Sequence, residues 1–492
     1  MLKQFLMPLF ALVLCSNALS GSCLDVLESQ IHRELELLGY PTPAWRTQDD
    51  ELLDVAVIGG GMLGTSVAGA LRLEGVYNVE VFDAAEKGKE GPWLTTARMK
   101  TLRSGKSLQG PALGIPRLTF RAWYEAKYGK HSWDRLGKIP TQLWGKYLIW
   151  MKKVLNITVH SRCRLEKIEP SEDGTLMLYF SNHSAVRARK VVLATGRGGF
   201  GGYELPSFVQ GLPARFWGHT NQILDPGQMK AKHVTVIGAG ASAFDAAAYA
   251  LEHGAKKVSM IMRREAIPKD NFFAVFGHMG FKHGYYFLSD EKRCELFLKA
   301  YAEGIPPPAE SIQRIESFAN FELLSSTCIE QIDVRDNHLV IQTSRGPHKT
   351  DFLFLGTGYA VDGSKQTELK PFHDAILLWK DRLNNLPEKL GRFPYLGQHF
   401  EFLEKTPGVA PFVQHIHCFN YGAFLSHGRI SGDIDCIDVG IKRLAQGIAI
   451  KLFLQDMYED VQIVPSCPNT CQTGLDGSFC MFGQTSKRGE LP

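Results

Sequence analysis

The sequence predicts an α/β protein built from two Rossmann-like domains, the second inserted into the first. Two pairs of features predict it. Two glycine-rich turns, Gly59-Gly60-Gly61-Met62-Leu63-Gly64 and Gly238-Ala239-Gly240-Ala241-Ser242-Ala243, each follow a short apolar run and open an alanine-rich stretch. Two later apolar runs end alike, at Thr195-Gly196 and at Thr357-Gly358. The turns have the spacing of a loop that wraps a pyrophosphate. Gly59 and Gly238 permit the tight turn, Gly61 and Gly240 let backbone amides approach phosphate, and Gly64 and Ala243 keep helix and strand close. Both domains are therefore read as dinucleotide-binding.

The elements follow in chain order. Residues 1–20 have the shape of a secretory signal: Lys3, an apolar core from Phe5 to Cys15, and small residues around Ala18 to Gly21. That core is too short to favour a spanning helix. In the segment 21–50, residues 24–38 carry apolar positions at helical spacing, and Pro41 and Pro43 stop the helix. The first part of the first domain covers 51–215. In it a helix at Thr65–Leu73 leads to a strand at Val79–Phe82 that ends in Asp83. Aromatic-rich helices at 116–129 and 141–155 read as core packing, and strands are expected at 157–168, 175–181 and 185–194.

The second domain is placed at 216–350, with a helix at 242–253 and a strand from Val258 that runs into Arg263-Arg264. An irregular, helical stretch at 265–320 precedes strands at 321–325, 328–334 and 338–344. The chain then returns to the first domain at 351–455, with a helix beginning near Ser431-Gly432-Asp433-Ile434. The tail, 456–492, holds Cys467, Cys471 and Cys480. Their spacing suits a disulfide in an oxidising compartment or free thiols, and no metal ligand set is assigned.

Two strand ends tell the nucleotides apart. An acid such as Asp83 suits a ribose with free hydroxyls, as in FAD or NAD. The guanidinium pair Arg263-Arg264 suits a 2′-phosphate, which accepts paired donors. The reading is FAD at the first site and NADPH at the second, with the NADPH domain inserted into the FAD domain. The formal net charge of +4 over 492 residues asks for no nucleic-acid partner. The N-terminal segment points to a secretory or membrane-peripheral protein and NADPH use to a cytoplasmic one, and both readings stand. Oligomeric state is not readable.

On these residues the chain resembles the FAD- and NADPH-dependent monooxygenases that include flavin-containing monooxygenases, Baeyer–Villiger monooxygenases and amino-acid N-hydroxylases. The resemblance spans roughly 51–450. It implies an enzyme that uses NADPH and O2 to oxygenate a small amine, sulfide or ketone through a C4a-(hydro)peroxyflavin. The alternative is an NADPH oxidase or reductase on the same scaffold without oxygen transfer. A flavin disulfide reductase is disfavoured, because no cysteine lies between Asp83 and Arg162 and the chain lacks CxxC.

The resemblance places Trp93 near the isoalloxazine, and Arg103 and Ser104 on an adjoining loop. Ser242 belongs to the NADPH loop. His219 precedes that loop, although Pro213 and Arg215 stand where the family's linker motif has Phe and Gly. Asp433, at a helix start, is the candidate for the flavin pyrimidine side. Arg103, His219 and Asn420 are the candidates for organising flavin or nicotinamide.

Overall fold

The computed structural model describes residues 22–46, 49 and 51–458. The signal-like segment and the cysteines of the tail lie outside these residues. Helix α1 (Cys23–Leu37) starts at Ser22, whose hydroxyl and the Asp25 carboxylate cap each other's backbone amides. The short apolar run before the first glycine turn forms β1 (Leu52–Ile58), and the turn leads into α2 (Met62–Leu73) and β2 (Val79–Phe82).

Three helices follow: α3 (Phe120–Tyr128), α4 (Lys130–Arg135) and α5 (Thr141–Val154). Their aromatic residues are core, as expected. Phe120, Trp123, Trp133, Trp144 and Tyr147 are all buried, and Phe120 meets the other four rings. Strands β3 (Val159–His160), β4 (Leu165–Pro170), β5 (Leu176–Phe180) and β6 (Ala185–Leu193) complete this stretch.

These strands form one sheet in the order β3-β2-β1-β6-β5-β4. The glycine-loop strand β1 lies between β2 and β6, parallel to both. Strand β6 is shared. Its first half pairs antiparallel with β5, and its last residues await a partner from much later in the chain.

The second sheet repeats the plan. It takes β7 (Trp217–His219), β8 (His233–Ile237), then α6 (Ala241–Glu252) and β9 (Lys257–Ile261). Helices α7 (Met279–Gly284), α8 (Asp290–Glu303) and α9 (Ala309–Glu316) precede β10 (Phe321–Leu324). An antiparallel meander follows, β11 (Ile329–Arg335), β12 (His338–Thr343) and β13 (Gly346–Thr350), before β14 (Phe352–Leu355). The parallel order is β10-β9-β8-β14-β7. In both sheets the glycine-loop strand has its second strand on one side and its Thr-Gly strand on the other. The strand order reverses there, and ligands bind α/β sheets at that crevice.

The chain then forms α10 (Glu388–Gly391), β15 (Ile416–Cys418), α11 (Phe424–His427) and α12 (Ile437–Tyr458). Strand β15 pairs with Val191–Leu193 of β6, and α12 packs on α2. The residues between the two contributions to the first sheet build the second. Among the described residues no helix is long and apolar enough to cross a membrane.

Four expectations are corrected. The chain does not change domain at 351. Strand β14 stays in the second sheet, where all four residues are buried between β8 and β7. Residues 217–219, read as linker, form the edge strand β7, because β14 offers them its outer backbone groups. Strand β13 was not foreseen, since Gly346-Pro347 reads as a turn. The last helix starts at Ile437 rather than near Ser431, because Gly428–Ser431 form a separate 3-10 turn; the Ile437 amide already bonds the Asp433 carbonyl.

Candidate active site

Each glycine loop is tested by what a side chain would strike. A Cβ on Gly59 would lie 2.6 Å from the Ala194 carbonyl oxygen, and on Gly64 1.7 Å from the Gly59 oxygen. A Cβ on Gly238 would lie 2.5 Å from the Gly356 oxygen. Gly59 and Gly238 also have φ of +107° and +116°, a region that costs other residues strain. The middle glycines face space instead. Beside Gly61 the nearest atom would be 3.5 Å away, and beside Gly240 nothing lies within 4 Å.

Both middle glycines are helix N-caps without a side-chain cap. The first amides of α2 and α6 therefore keep donors and a positive dipole end for an anion. These residues fit two pyrophosphates. A narrow crevice beside the first loop is lined by Gly60, Gly61, Glu90, Trp93 and Lys152. Trp93 is thus at the first loop and meets Trp144 edge-on at 6.3 Å.

The two strand ends differ as their side chains require. Asp83 accepts the Gly60 amide at 2.6 Å and the Ala85 amide at 2.7 Å. Each carboxylate oxygen keeps a lone pair for a ribose hydroxyl. At the second site the arginine pair divides. Arg264 donates to the carbonyls of Glu303 at 2.8 Å and Tyr301 at 3.3 Å, at the end of α8. Arg263 is exposed and makes no side-chain hydrogen bond among the described residues, so its guanidinium donors remain open.

The two Thr-Gly exits lie side by side. Thr357 donates to the Glu204 carbonyl at 2.6 Å, the Glu204 amide to Gly358 at 3.0 Å, and Tyr203 bridges to Tyr359. His219 is buried here with its ring stacked on Tyr203 at 4.7 Å. Its Nδ1 accepts from the Asn221 amide at 3.0 Å, so a neutral ring carries its proton on Nε2, which makes no close hydrogen bond and has the Gly358 backbone beside it. Burial pushes this imidazole down to about 4, so it is neutral at ordinary pH.

The other candidates separate into contact and scaffold. Arg103 reaches Ser242 Oγ at 3.3 Å and Asp245 Oδ2 at 3.1 Å, so a loop of the first unit touches the first turn of α6. Ser104 lies half-buried beside it. Asn420 is wholly buried and spans backbone and side chains. It donates to Thr195 Oγ1 at 3.0 Å and Leu193 O at 3.2 Å, and accepts from the Gly422 amide at 2.8 Å. It fastens the ends of β6 and β15. Asp433 does not cap a helix side-on. Its carboxylate pairs with Arg429 and, at 2.5 Å, with Arg197. Burial alone would raise this acid, but the two guanidinium groups hold it below the usual carboxylate range.

Sequence reading passed over Arg197 and Tyr359 as site residues. Arg197 directly follows Thr195-Gly196, which was the available signal. It lies over Tyr421 at 5.8 Å and Phe424 at 5.7 Å and is half-exposed. Tyr421 meets the Tyr359 ring at 6.3 Å and the Tyr301 hydroxyl at 2.5 Å. Arg98 clamps the units together by donating to the carbonyls of Thr220 and Gln222, both at 2.7 Å.

That geometry defines a two-dinucleotide protein. A family profile described as FAD-NAD(P)-binding matches residues 56–198, and one for L-lysine 6-monooxygenase/L-ornithine 5-monooxygenase matches 137–298. The FAD-dependent urate hydroxylase of Xanthomonas campestris pv. campestris is 34% identical over 446 residues, 89% of this chain and 94% of that one. Among solved structures, ornithine hydroxylase from Pseudomonas aeruginosa in its reduced form has a TM-score of 0.63 at 15% identity, over 82% of this chain and all of that one. L-Lysine 6-monooxygenase from Pseudomonas syringae has a TM-score of 0.61 at 15% identity, over 82% of this chain and 99% of that one. The chain belongs to the FAD-dependent monooxygenases with FAD-NAD(P)-binding folds, the family that includes this urate hydroxylase.

Proposed function

We propose that the chain uses NADPH and O2 to oxygenate a small planar nitrogen heterocycle, with urate the first compound to test. The observation that carries this is the 34% identity to a urate hydroxylase across 94% of its length, a span that takes in both glycine loops. Urate is a purine, which widens the amine, sulfide and ketone classes named above. The loop Gly59–Gly64 and Asp83 would hold FAD. The loop Gly238–Ala243 and Arg263 would hold NADPH, with the NADPH domain inserted into the FAD domain. Bound FAD supplies the activation of oxygen with electrons drawn from the nicotinamide.

The chain's own part is binding, orientation and exclusion of water. Arg197, balanced by Asp433, offers a cation between Tyr421 and Phe424, which suits a flat anion. His219 offers a neutral, buried ring whose Nε2 makes no close hydrogen bond, with the Gly358 backbone beside it. No side-chain nucleophile is needed. The buried thiols of Cys294 and Cys436 are pushed up to about 11 and about 12 by burial, opposite to what a redox thiolate requires.

The test is NADPH and O2 consumption by the purified yellow protein with urate and with other purines. Consumption that urate accelerates, without matching release of hydrogen peroxide, supports the proposal. Peroxide release equal to NADPH consumed with every compound would make the protein an oxidase instead.

A further inference from the structure

We propose that His233, Glu322 and His348 bind a single zinc ion that ties the meander β11–β13 to the parallel sheet of the second unit. One nitrogen of each ring and a carboxylate oxygen lie within 4.8 Å of one another. Zinc with two imidazoles and a carboxylate needs bonds of about 2.0–2.2 Å, so the rings have only to pivot inward by roughly an ångström.

Strand register brings these groups together. His233 stands opposite Lys257, and Ser259 stands between Thr235 and Glu322. Side chains two apart on a strand share a face, so His233, Thr235, Lys257, Ser259 and Glu322 occupy one face of β8, β9 and β10. Further along that face Ile237, Ile261 and Leu353 pack against Leu339 and Ile341 of the meander. His348 stands opposite Ile341 on β13 and reaches Thr235. The apolar layer between sheet and meander therefore gives way, at one end, to a polar cluster.

Two wholly buried hydroxyls, Thr235 and Ser259, interrupt otherwise apolar strands there. Each holds an imidazole in place. Ser259 Oγ is 2.8 Å from His233 Nε2 and donates to Glu322 Oε1 at 2.6 Å, and Thr235 Oγ1 is 3.0 Å from His348 Nε2. An outer shell of this kind fixes tautomer and ring orientation in metal sites.

Lys257 is the competing cation. Its ammonium lies 2.8 Å from Glu322 Oε1, the oxygen that Ser259 also uses, while Oε2 takes neither bond. The ion would bind through Oε2, against repulsion from Lys257. The cluster sits at the start of β8, whereas the glycine loop follows its end. The site is therefore structural, and its loss leaves the coenzyme loop intact.

The experiment counts zinc per chain by elemental analysis after EDTA stripping, zinc addition and gel filtration. Cys467, Cys471 and Cys480 are replaced by Ser to remove competing thiols. One equivalent is expected. It is lost in His348→Gln and in His233→Gln, each judged folded by its flavin absorbance. Lys257→Met is expected to bind zinc more tightly, and Thr235→Val about 10-fold more weakly. No bound zinc, an equivalent that survives both histidine changes, or a Lys257→Met protein with unchanged affinity would each overturn the site.

Discussion

Ala243 occupies the third place of the second loop, where the first loop has Gly64, and Gly356 makes room for it. A Cβ on Gly356 would come within 2.5 Å of the Ala243 Cβ. In the first unit the methyl is on the other partner: the strand ends in Ala194 and the helix carries Gly64. Gly356→Ala should destabilise the protein by about 1–3 kcal/mol through overpacking, and Ala243→Gly in the same chain should restore only part of it, because the added Cβ would still meet the Cα of residue 243 at 2.8 Å. Strict additivity in thermal melts of the two single variants and the double variant would refute the pairing.

Arg263 and Arg264 should also separate. Arg263→Ala should raise KM for NADPH by on the order of 10-fold or more, for loss of a charged hydrogen bond, and leave KM for NADH unchanged. Arg264→Ala should lower Tm and leave the coenzyme preference alone, since its donors already serve carbonyls at the end of α8. Equal effects of Arg263→Ala on both coenzymes would remove the 2′-phosphate assignment.

Helices α2 and α6 are each 12 residues long, each begins after a glycine N-cap, and neither has a side-chain cap. Most helices would lose stability by leaving those amides unpaired. The loss is tolerable where a phosphate completes the helix. Gly61→Ala should therefore fold with the melting temperature of the cofactor-free protein, because its Cβ meets nothing closer than 3.5 Å. It should bind FAD more weakly and purify with less colour. Full flavin content in that variant would place the pyrophosphate elsewhere.

At this level the sequence was readable where one signal dominated. Continuous apolar runs, glycine turns and helical spacing gave β1, β8, α2, α6, α5 and α1 within a few residues. What escaped depends on partners far along the chain. Strand β7 has three residues and exists only because β14 lies beside it. Asn420 and Asp433 read as site residues because their neighbours, Thr195 and Arg197, are not their neighbours in sequence. Arg197 was missed for the same reason.

Seven histidines are held below the ordinary imidazole range, with burial the first cause in each: His219, His233, His348, His399, His415, His417 and His427. Native rings such as His219 stay neutral down to about 4, whereas the unfolded chain takes up protons from about pH 6.5. The unfolded state binds more protons across that window, so stability falls as pH drops from about 6.5 towards 4. His219 alone contributes on the order of 3 kcal/mol to that loss. A Tm that falls between about pH 6.5 and pH 4 is expected in a series of thermal melts, and a flat profile would show that the rings are not neutral by burial.

Strand β6 carries a last consequence. Its outer half is finished only by β15, and Asn420 fastens the joint to Thr195 across 225 positions of chain. During synthesis the second sheet can close while the first still has an open edge, because loop closure over so long a span comes late. On the proposed assignment, the half that would accept reducing equivalents is completed after the half that would deliver them. Flavin loading is then expected to be a late event, and a ribosome stalled before Ile416 would hold a nascent chain with the coenzyme loop formed and the flavin fold unsealed.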